Sequence, residues 1–477
     1  MTTESTPRST AGKKSPSRNG GGKQAATGRE TARREAAGAQ AAGREAAGAQ
    51  TKAGKGTGKA RQRVAILGGN RIPFARSGRE YAQASNLDML TAAIDGLVAR
   101  YGLQDQRLGL VAGGAVLKHA RDFNLTRESV LGSALDPTTP ALDIQQACGT
   151  SLAAAIVVAD AIAAGRIDSG LAGGTDTASD VPLAVNDRLR RTLLAATRAK
   201  TLGQRAQLIG SLRPAQLAPE QPRNAEPRTG LSMGEHAAIT AREYGITRQA
   251  QDELAAASHH NLARAWDSGF FDTLVTPFLG VTRDTNLRPD TSVEKLAALK
   301  PVFGTRDAEQ HLAQATMTAG NSTPLTDGAS VALLGNEAFA ARHHLEPLAW
   351  LVDSETAAVD FVHGSDGLLM APTYAVPRLL ERNGLSLQDF DAYEIHEAFA
   401  SQVLATLQAW EEAGLGGIDK AKLNPNGSSL AAGHPFAATG TRILATAAQH
   451  LANRGSGRTL ISICAAGGQG IAAIIER

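Results

Sequence analysis

Cys148 and Cys464 are the only cysteines of the chain, and each stands in a segment that can make a thiol reactive. In Gln146-Ala-Cys148-Gly-Thr-Ser-Leu-Ala-Ala the cysteine falls at a predicted turn into a helix of small residues. Unpaired backbone N–H groups and the helix dipole at such a turn favour a thiolate. In Cys464-Ala-Ala-Gly-Gly-Gln-Gly the cysteine ends an apolar strand, the place where α/β folds put their active sites. Two histidines have similar settings. His434 is fixed between Gly433 and Pro435, and His396-Glu-Ala-Phe399 follows the predicted strand Ala392–Ile395 and leads into a helix. Each residue taken alone has a plainer reading, as a small buried hydrophobe, a helix cap or an outer contact. Together they could supply a thiol nucleophile, imidazole bases and a second thiol for proton transfer.

Other chemistries find less support. No Cys-x-x-Cys or His-Glu-x-x-His spacing is present, and His259-His260 is an adjacent pair pointing to different helix faces, so no metal site is expected. No glycine-rich dinucleotide loop opens a helix after a strand, and no Walker loop is present, so no bound cofactor is expected. Arg188, Arg190, Arg191, Arg198, Lys200 and Arg205 could meet a phosphate, but read more simply as a solvated helix face.

The elements that must position these residues alternate between strand and helix, which predicts an α/β layered fold. Val64-Ala-Ile-Leu-Gly68 reads as a first strand. A helix follows, with Asn86 as its cap, Leu87, Leu90, Ile94, Leu97, Val98 and Tyr101 on one face, and Gly102 at its end. Two stretches resemble each other. After Cys148, a small-residue helix (Ser151 to Gly165) leads to Ser169-Gly-Leu-Ala-Gly-Gly174. After His434, a second one (about Ala438 to Asn453) leads to Thr459-Leu-Ile-Ser-Ile-Cys464. Gly328 to Gly335 and Gly470 to Ile475 close the two units alike, which predicts an internally duplicated α/β domain. Residues 63–180 with 311–345 form the first half and 346–477 the second. The Arg- and Pro-rich 181–310 is an inserted lid.

Residues 1–62 contain no Val, Leu, Ile, Phe, Tyr or Trp, and Arg34 to Gln40 is repeated as Arg44 to Gln50. Such a segment cannot bury enough apolar area to offset its ordering entropy and is expected to be a disordered tail. Through Arg63 its net charge is +10, against +3 for the whole chain, so the remainder is −7 and nucleic-acid binding is not expected of it. The chain lacks an apolar signal-peptide core and any 18-residue apolar run, and its two cysteines suit a reducing compartment; a cytoplasmic protein is expected.

The four motifs in their order, at 148, 396–399, 433–435 and 464–468, resemble the thiolase family across residues 64–477. Gly173 to Ser179, Ser232 to Ala238 and Thr318 to Gly328 are similar to the family as well. The resemblance implies a duplicated five-layered α-β-α-β-α fold and reversible Claisen chemistry: acyl-CoA and acetyl-CoA exchange with 3-ketoacyl-CoA and CoA by a ping-pong route. Cys148 would carry the acyl group, His434 would activate it, and His396 with His434 would form one oxyanion hole. Cys464 would be the acid/base at the α-carbon, and the backbone N–H groups of Cys148 and Ala466 the second hole. Met233, Asn321 and Thr323 would line the tunnel for the pantetheine arm.

His at position 396, where Asn is commoner, resembles thiolases of bacterial and mitochondrial multienzyme β-oxidation systems. Acyl-CoA and CoA are then the small-molecule partners. A homodimer or homotetramer, and a complex with a hydratase/dehydrogenase subunit, are implied on the same ground. A ketoacyl synthase shares the duplicated fold but lacks the second cysteine motif, so Cys464 speaks against it. A non-catalytic acyl-CoA-binding scaffold would be expected to have lost one of the four reactive residues.

Overall fold

Residues 61–477 are described by the computed structural model; the expectations placed on residues 1–60 lie outside them. Arg61 and Gln62, assigned to the tail on composition, are held by the fold. Gln62 donates its backbone N–H to Ala163 O at 3.0 Å and accepts from Asn336 Nδ2 at 2.8 Å. Arg61 pairs with Asp160 at 2.8 Å.

The first half is built on strands β1 (Val64–Arg71), β2 (Leu110–Gly113), β3 (Ala141–Asp143), β4 (Ser169–Asp176) and β5 (Thr326–Gly335). The second uses β6 (Ala349–Ala358), β7 (Ala392–Ile395), β8 (Arg458–Ala465) and β9 (Gln469–Glu476). Their orders are β3-β2-β4-β5-β1 and β7-β8-β9-β6, joined edge to edge where Ala65 pairs with Trp350. In each half the strand after the central helix runs parallel to its neighbour toward the sheet edge and antiparallel to its neighbour toward the middle (β4 to β2 and β5; β8 to β7 and β9). Where the first half has β3, the second has an isolated parallel bridge from Tyr393 to Leu423. The same plan in both halves bears out the duplication.

The layers follow from which faces are apolar. Helices α1 (Asn86–Tyr101) and α2 (Leu125–Gly132) cover the outer face of the first half, with Leu90, Ile94, Leu97, Val98 and Val130 buried against Val111, Val331 and Leu333. Ser85 rather than Asn86 is the cap of α1: its hydroxyl accepts the Asp88 N–H while Asp88 reaches back to the Ser85 backbone. That reciprocal pair satisfies two orphan donors, which a lone Asn86 side chain would not. Asn86 itself is buried and donates to Leu117 O.

Helix α3 (Thr150–Ala163) forms the middle layer together with a helix of the second half. Next in the chain come α4 (Asp187–Arg198), α5 (Leu202–Gly210), α6 (Met233–Glu243) and α7 (Arg248–Asp267), which belong to the inserted region. Pro301–Phe303 pairs with Met317–Thr318 across the expected 310/311 boundary, so the excursion rejoins the sheet only at Thr326. Helices α8 (Pro372–Asn383) and α9 (Ala400–Glu412) cover the outer face of the second half, and α10 (Thr439–Arg454) lies in the middle layer with α3.

The central core joins Leu152, Val158 and Ile162 of α3 and Ile443, Leu444 and Leu451 of α10 to strand residues of both halves, among them Ile66, Leu334, Ile461 and Ile475. Each such buried side chain is worth roughly 1.5–3 kcal/mol, so this layer binds the halves together. Small residues set its spacing. A Cβ at Gly440 would stand 2.3 Å from the Leu152 backbone nitrogen, so only glycine lets the two helix starts come this close. Among the described residues no helix is long and apolar enough to cross a membrane.

Candidate active site

Cys148 sits in a tight turn, Ala147–Gly149, on the end of α3. Ala147 has φ of +45°, a conformation uncommon for a residue with a side chain. The turn is tied by Gln146 N–H donating to Thr150 Oγ1 (2.9 Å) and by Thr150 Oγ1 donating to Ala147 O (2.7 Å). His434 stands on the equivalent approach to α10. Gly433 before it has φ of +101°, and a Cβ there would collide with Thr326. The His434 backbone N–H donates to Thr326 Oγ1 at 2.7 Å, and His434 Nε2 lies 3.1 Å from Cys148 Sγ. Two helix starts, 286 residues apart in sequence, thus present a thiol and an imidazole to each other.

His396 follows β7 and donates its backbone N–H to Ser462 O at 2.8 Å. Its ring centroid is 4.2 Å from that of His434. Nδ1 is 2.8 Å from Ser429 Oγ, whereas Nε2 is buried with no partner among the described residues. Cys464, near the end of β8, is 1% exposed and packs among Ala237, Ala238, Met317, Leu368, Leu369 and Phe399, with Met233 against the same cluster. The structure brings Cys148, His396 and His434 to one buried centre, and Cys464 lies close enough to Cys148 for the two thiols to interact electrostatically. It also places Cys148, His396 and His434 so that one ligand atom of each falls within 4.8 Å of the others, a grouping the search for metal spacings along the chain could not reveal.

Burial reverses the expectation of a thiolate. Desolvation pushes the Cys148 thiol up to about 12, only partly offset by the N–H groups of Ala466 and of Cys148 itself. Those two donors face the sulfur, where the second oxyanion hole was expected. Cys464 is raised well above the ordinary thiol value by burial, then by the nearby Cys148. His434 is lowered to about 3 by burial and by the Arg442 charge. His396 is lowered well below its ordinary value by burial, then by His434 and Arg442. All four shifts favour the neutral form, thiol or imidazole, in the resting centre.

The expected tunnel residues fare differently. The Asn321 amide is fully engaged inside the protein: Oδ1 accepts Thr318 N–H, and Nδ2 donates to Asp252 and to Thr316 O. Thr323 Oγ1 donates to Ala398 O at 2.9 Å, and Ser322 bridges to Phe399. The 321–323 segment clamps the His396-Glu-Ala-Phe loop, and Met233 packs against the apolar cluster around Cys464. The arginine cluster is a solvated face, with Arg190 and Arg191 pairing to Asp187 in the open. His259 is buried and accepts the Arg288 N–H on Nδ1.

Further residues build the site around these side chains. Glu397 accepts from Ser258 Oγ, Asn424 Nδ2 and Leu430 N–H. Asn424, with φ of +45°, also bonds both backbone groups of Ile395. The Asn424-Pro-Asn-Gly run was the one available signal, since asparagine tolerates that conformation. Glu226 of the inserted region accepts the Gly467 N–H at 3.0 Å, directly beside Ala466.

Comparison with known proteins agrees with this geometry. Residues 64–338 match the model of the thiolase N-terminal domain and 345–477 that of the thiolase C-terminal domain. The chain is 38% identical over 431 residues to a 3-ketoacyl-CoA thiolase of Pectobacterium atrosepticum, covering 87% of this chain and 96% of that one. Its fold is similar to the Bacillus anthracis acetyl-CoA acetyltransferase (TM-score 0.73, 28% identity, 87% of this chain and 99% of that one). It is equally similar to human mitochondrial 3-ketoacyl-CoA thiolase in complex with CoA (TM-score 0.73, 28% identity, 87% and 98%). The chain belongs to the thiolase family. It is an enzyme, an acyltransferase of the thiolase kind.

Proposed function

We propose that this thiolase interconverts acyl-CoA plus acetyl-CoA with 3-ketoacyl-CoA plus CoA through an acyl group on Cys148, and that it works mainly in cleavage. The observation that carries the reading is the 3.1 Å contact of His434 Nε2 with Cys148 Sγ, beside a second buried thiol and an unpartnered His396 Nε2. As Cys148 sulfur attacks the C3 carbonyl of a 3-ketoacyl-CoA, its proton passes to His434 Nε2. The C2–C3 bond then breaks, leaving the acyl group on Cys148. The electron pair becomes the enolate of acetyl-CoA, which takes a proton from Cys464. The Cys464 thiolate next deprotonates incoming CoA, whose sulfur attacks the acyl-Cys148 thioester. Cys148 leaves as a thiolate and recovers its proton from His434.

Donors facing the developing oxyanions supply the transition-state stabilisation: His396 Nε2 at one site, and the N–H groups of Cys148 and Ala466 at the other. The 3-ketoacyl-CoA thiolase name of the relatives and the histidine at 396 support the degradative direction. CoA in the human relative supports CoA thioesters as substrates. Met233 is the residue proposed to contact the acyl or pantetheine chain. A cytoplasmic homodimer or homotetramer, docking a hydratase/dehydrogenase subunit, belongs to the same reading. Its assembly is measured by sedimentation of the chain alone and with such a subunit.

Mass spectrometry after mixing with acetyl-CoA should find one acetyl group, on Cys148. Acetylation mapped to Cys464 reverses the roles. Rates of thiolysis with acetoacetyl-CoA and a long-chain 3-ketoacyl-CoA, taken side by side, assign the chain length.

A further inference from the structure

Behind His396 lies a buried cation that the reaction as written does not use. Arg442, on the first turn of α10, is 4% exposed and donates from Nη2 to Ser429 Oγ at 2.7 Å and from Nη1 to Ser428 Oγ at 3.3 Å. Ser429 Oγ is also the 2.8 Å partner of His396 Nδ1. We propose that Arg442, acting through Ser429, fixes His396 as the tautomer with its proton on Nε2, and so makes it a hydrogen-bond donor in the oxyanion hole.

The argument is one of hydrogen-bond directions. A guanidinium can only donate. Ser429 Oγ therefore accepts from Arg442, and its own hydrogen needs another acceptor. Among the described residues its remaining partner is His396 Nδ1, so the serine donates to that nitrogen. A neutral imidazole accepting at Nδ1 must carry its proton on Nε2. That nitrogen is the unpartnered one, fully buried in the centre, and a buried N–H without a partner is costly unless something arrives to accept from it. A substrate oxygen gaining negative charge is such an acceptor.

His434 shows the contrast. Its Nδ1 is 2.6 Å from Thr439 Oγ1, and among the described residues no cation donates to that hydroxyl. Thr439 is free to accept from Nδ1–H, which leaves Nε2 as the lone-pair base facing Cys148. Two neighbouring imidazoles, tilted 47° to each other, thus receive opposite tautomers, one a donor and one an acceptor, because among the described residues an arginine is linked through a hydroxyl to only one of them. The Arg442 charge also disfavours protonation of both rings, which keeps His434 a base and His396 neutral.

Ser429 and Arg442 are positioning residues, and their role rests on the proposed function only for its catalytic consequence. The tautomer itself is read without any turnover. In protein labelled with ¹⁵N-histidine, the His396 signals, assigned by their loss in His396→Asn, should show an unprotonated Nδ1 and a protonated Nε2. In Ser429→Ala the signals should shift towards a mixture of tautomers, and Ser429→Thr, which restores the hydroxyl, should return them. Thiolysis by Ser429→Ala should fall in kcat by at least about tenfold, towards the ~10²–10³-fold loss typical of one oxyanion donor. KM should stay within about threefold, and acetylation of Cys148 should persist. Arg442→Lys keeps the charge without the paired donors and should lose kcat similarly. A protonated Nδ1 on His396 in the unmutated enzyme overturns the proposal even if Ser429→Ala fails to fold. An unchanged tautomer and kcat in a folded Ser429→Ala overturns it too. If instead the tautomer is as stated and no variant of the site, Cys148→Ser included, alters thiolysis, the proposed function fails and the tautomer assignment stands.

Discussion

At Cys148 two influences act on one thiol. The turn onto α3 and the N–H groups of Cys148 and Ala466 favour the anion, while removal from water opposes it, and desolvation wins, raising the group to about 12. The free enzyme should therefore hold a protonated thiol, with the proton leaving only as a carbonyl arrives. Alkylation of the resting enzyme by iodoacetamide should keep rising with pH past 9, with no plateau at the ordinary thiol value near 8.5. A plateau between pH 6 and 8 would mark a thiolate–imidazolium pair and refute this description. The two thiols should also separate by step. On the proposed mechanism acylation of Cys148 uses His434 and an oxyanion site, whereas moving the α-proton uses Cys464, the second buried thiol. Cys464→Ala should lose about 10²–10⁴-fold or more in thiolysis, the usual range for general acid–base help, while still taking up one acetyl group. A variant that cannot be acetylated, yet still exchanges the methyl hydrogens of acetyl-CoA, would exclude Cys464 as the base.

The pair of middle helices is the element on which that chemistry depends. Cys148 and His434 are carried on the approaches to α3 and α10, so the distance between the helix starts becomes the distance between sulfur and imidazole. Gly440 sets it: a methyl group there would meet the Leu152 backbone nitrogen at 2.3 Å, and backbone cannot rotate aside. Asp176, at the end of β4, holds the same region by accepting from Val116, Leu117 and Ala437 N–H groups. Gly440→Ala should therefore destabilise the fold by about 1–3 kcal/mol, as overpacking usually does, measured by urea unfolding. It should also depress kcat more than KM, because the helix starts must part. Unchanged stability would show that the layer yields at this point.

For the whole molecule, the halves are fastened by a shared core and by the β1–β6 pairing, and the reactive groups lie where they meet. Cys148 comes from the first half, and His396, His434 and Cys464 from the second, so neither half contains a complete site. Residues 1–60 contain no Val, Leu, Ile, Phe, Tyr or Trp. Removing them, while keeping the anchored Arg61 and Gln62, should leave melting temperature and specific activity nearly unchanged. A fall of several degrees in thermal unfolding would show that those residues dock on the folded body.

The sequence by itself determined the four candidate residues, the two similar units around Cys148 and His434, and the strand–helix alternation. All three are written in local spacing: glycines and proline at turns, small residues in the helices, apolar runs in the strands. That Ser85 and not Asn86 caps α1 shows only in the geometry, which decides which side chain reaches the free N–H groups. That the Asn321 amide is engaged inside the protein also depends on the fold, since its partners are Thr318 and Thr316 close by in the chain and Asp252 from α7. Tertiary structure alone decided the protonation states, since desolvation depends on what surrounds a group from every side and not on its neighbours in the chain. It alone decided that Arg442, Ser429 and His396 form a line, because hydrogen bonds among them join a strand end, a short helical turn and a helix distant in sequence.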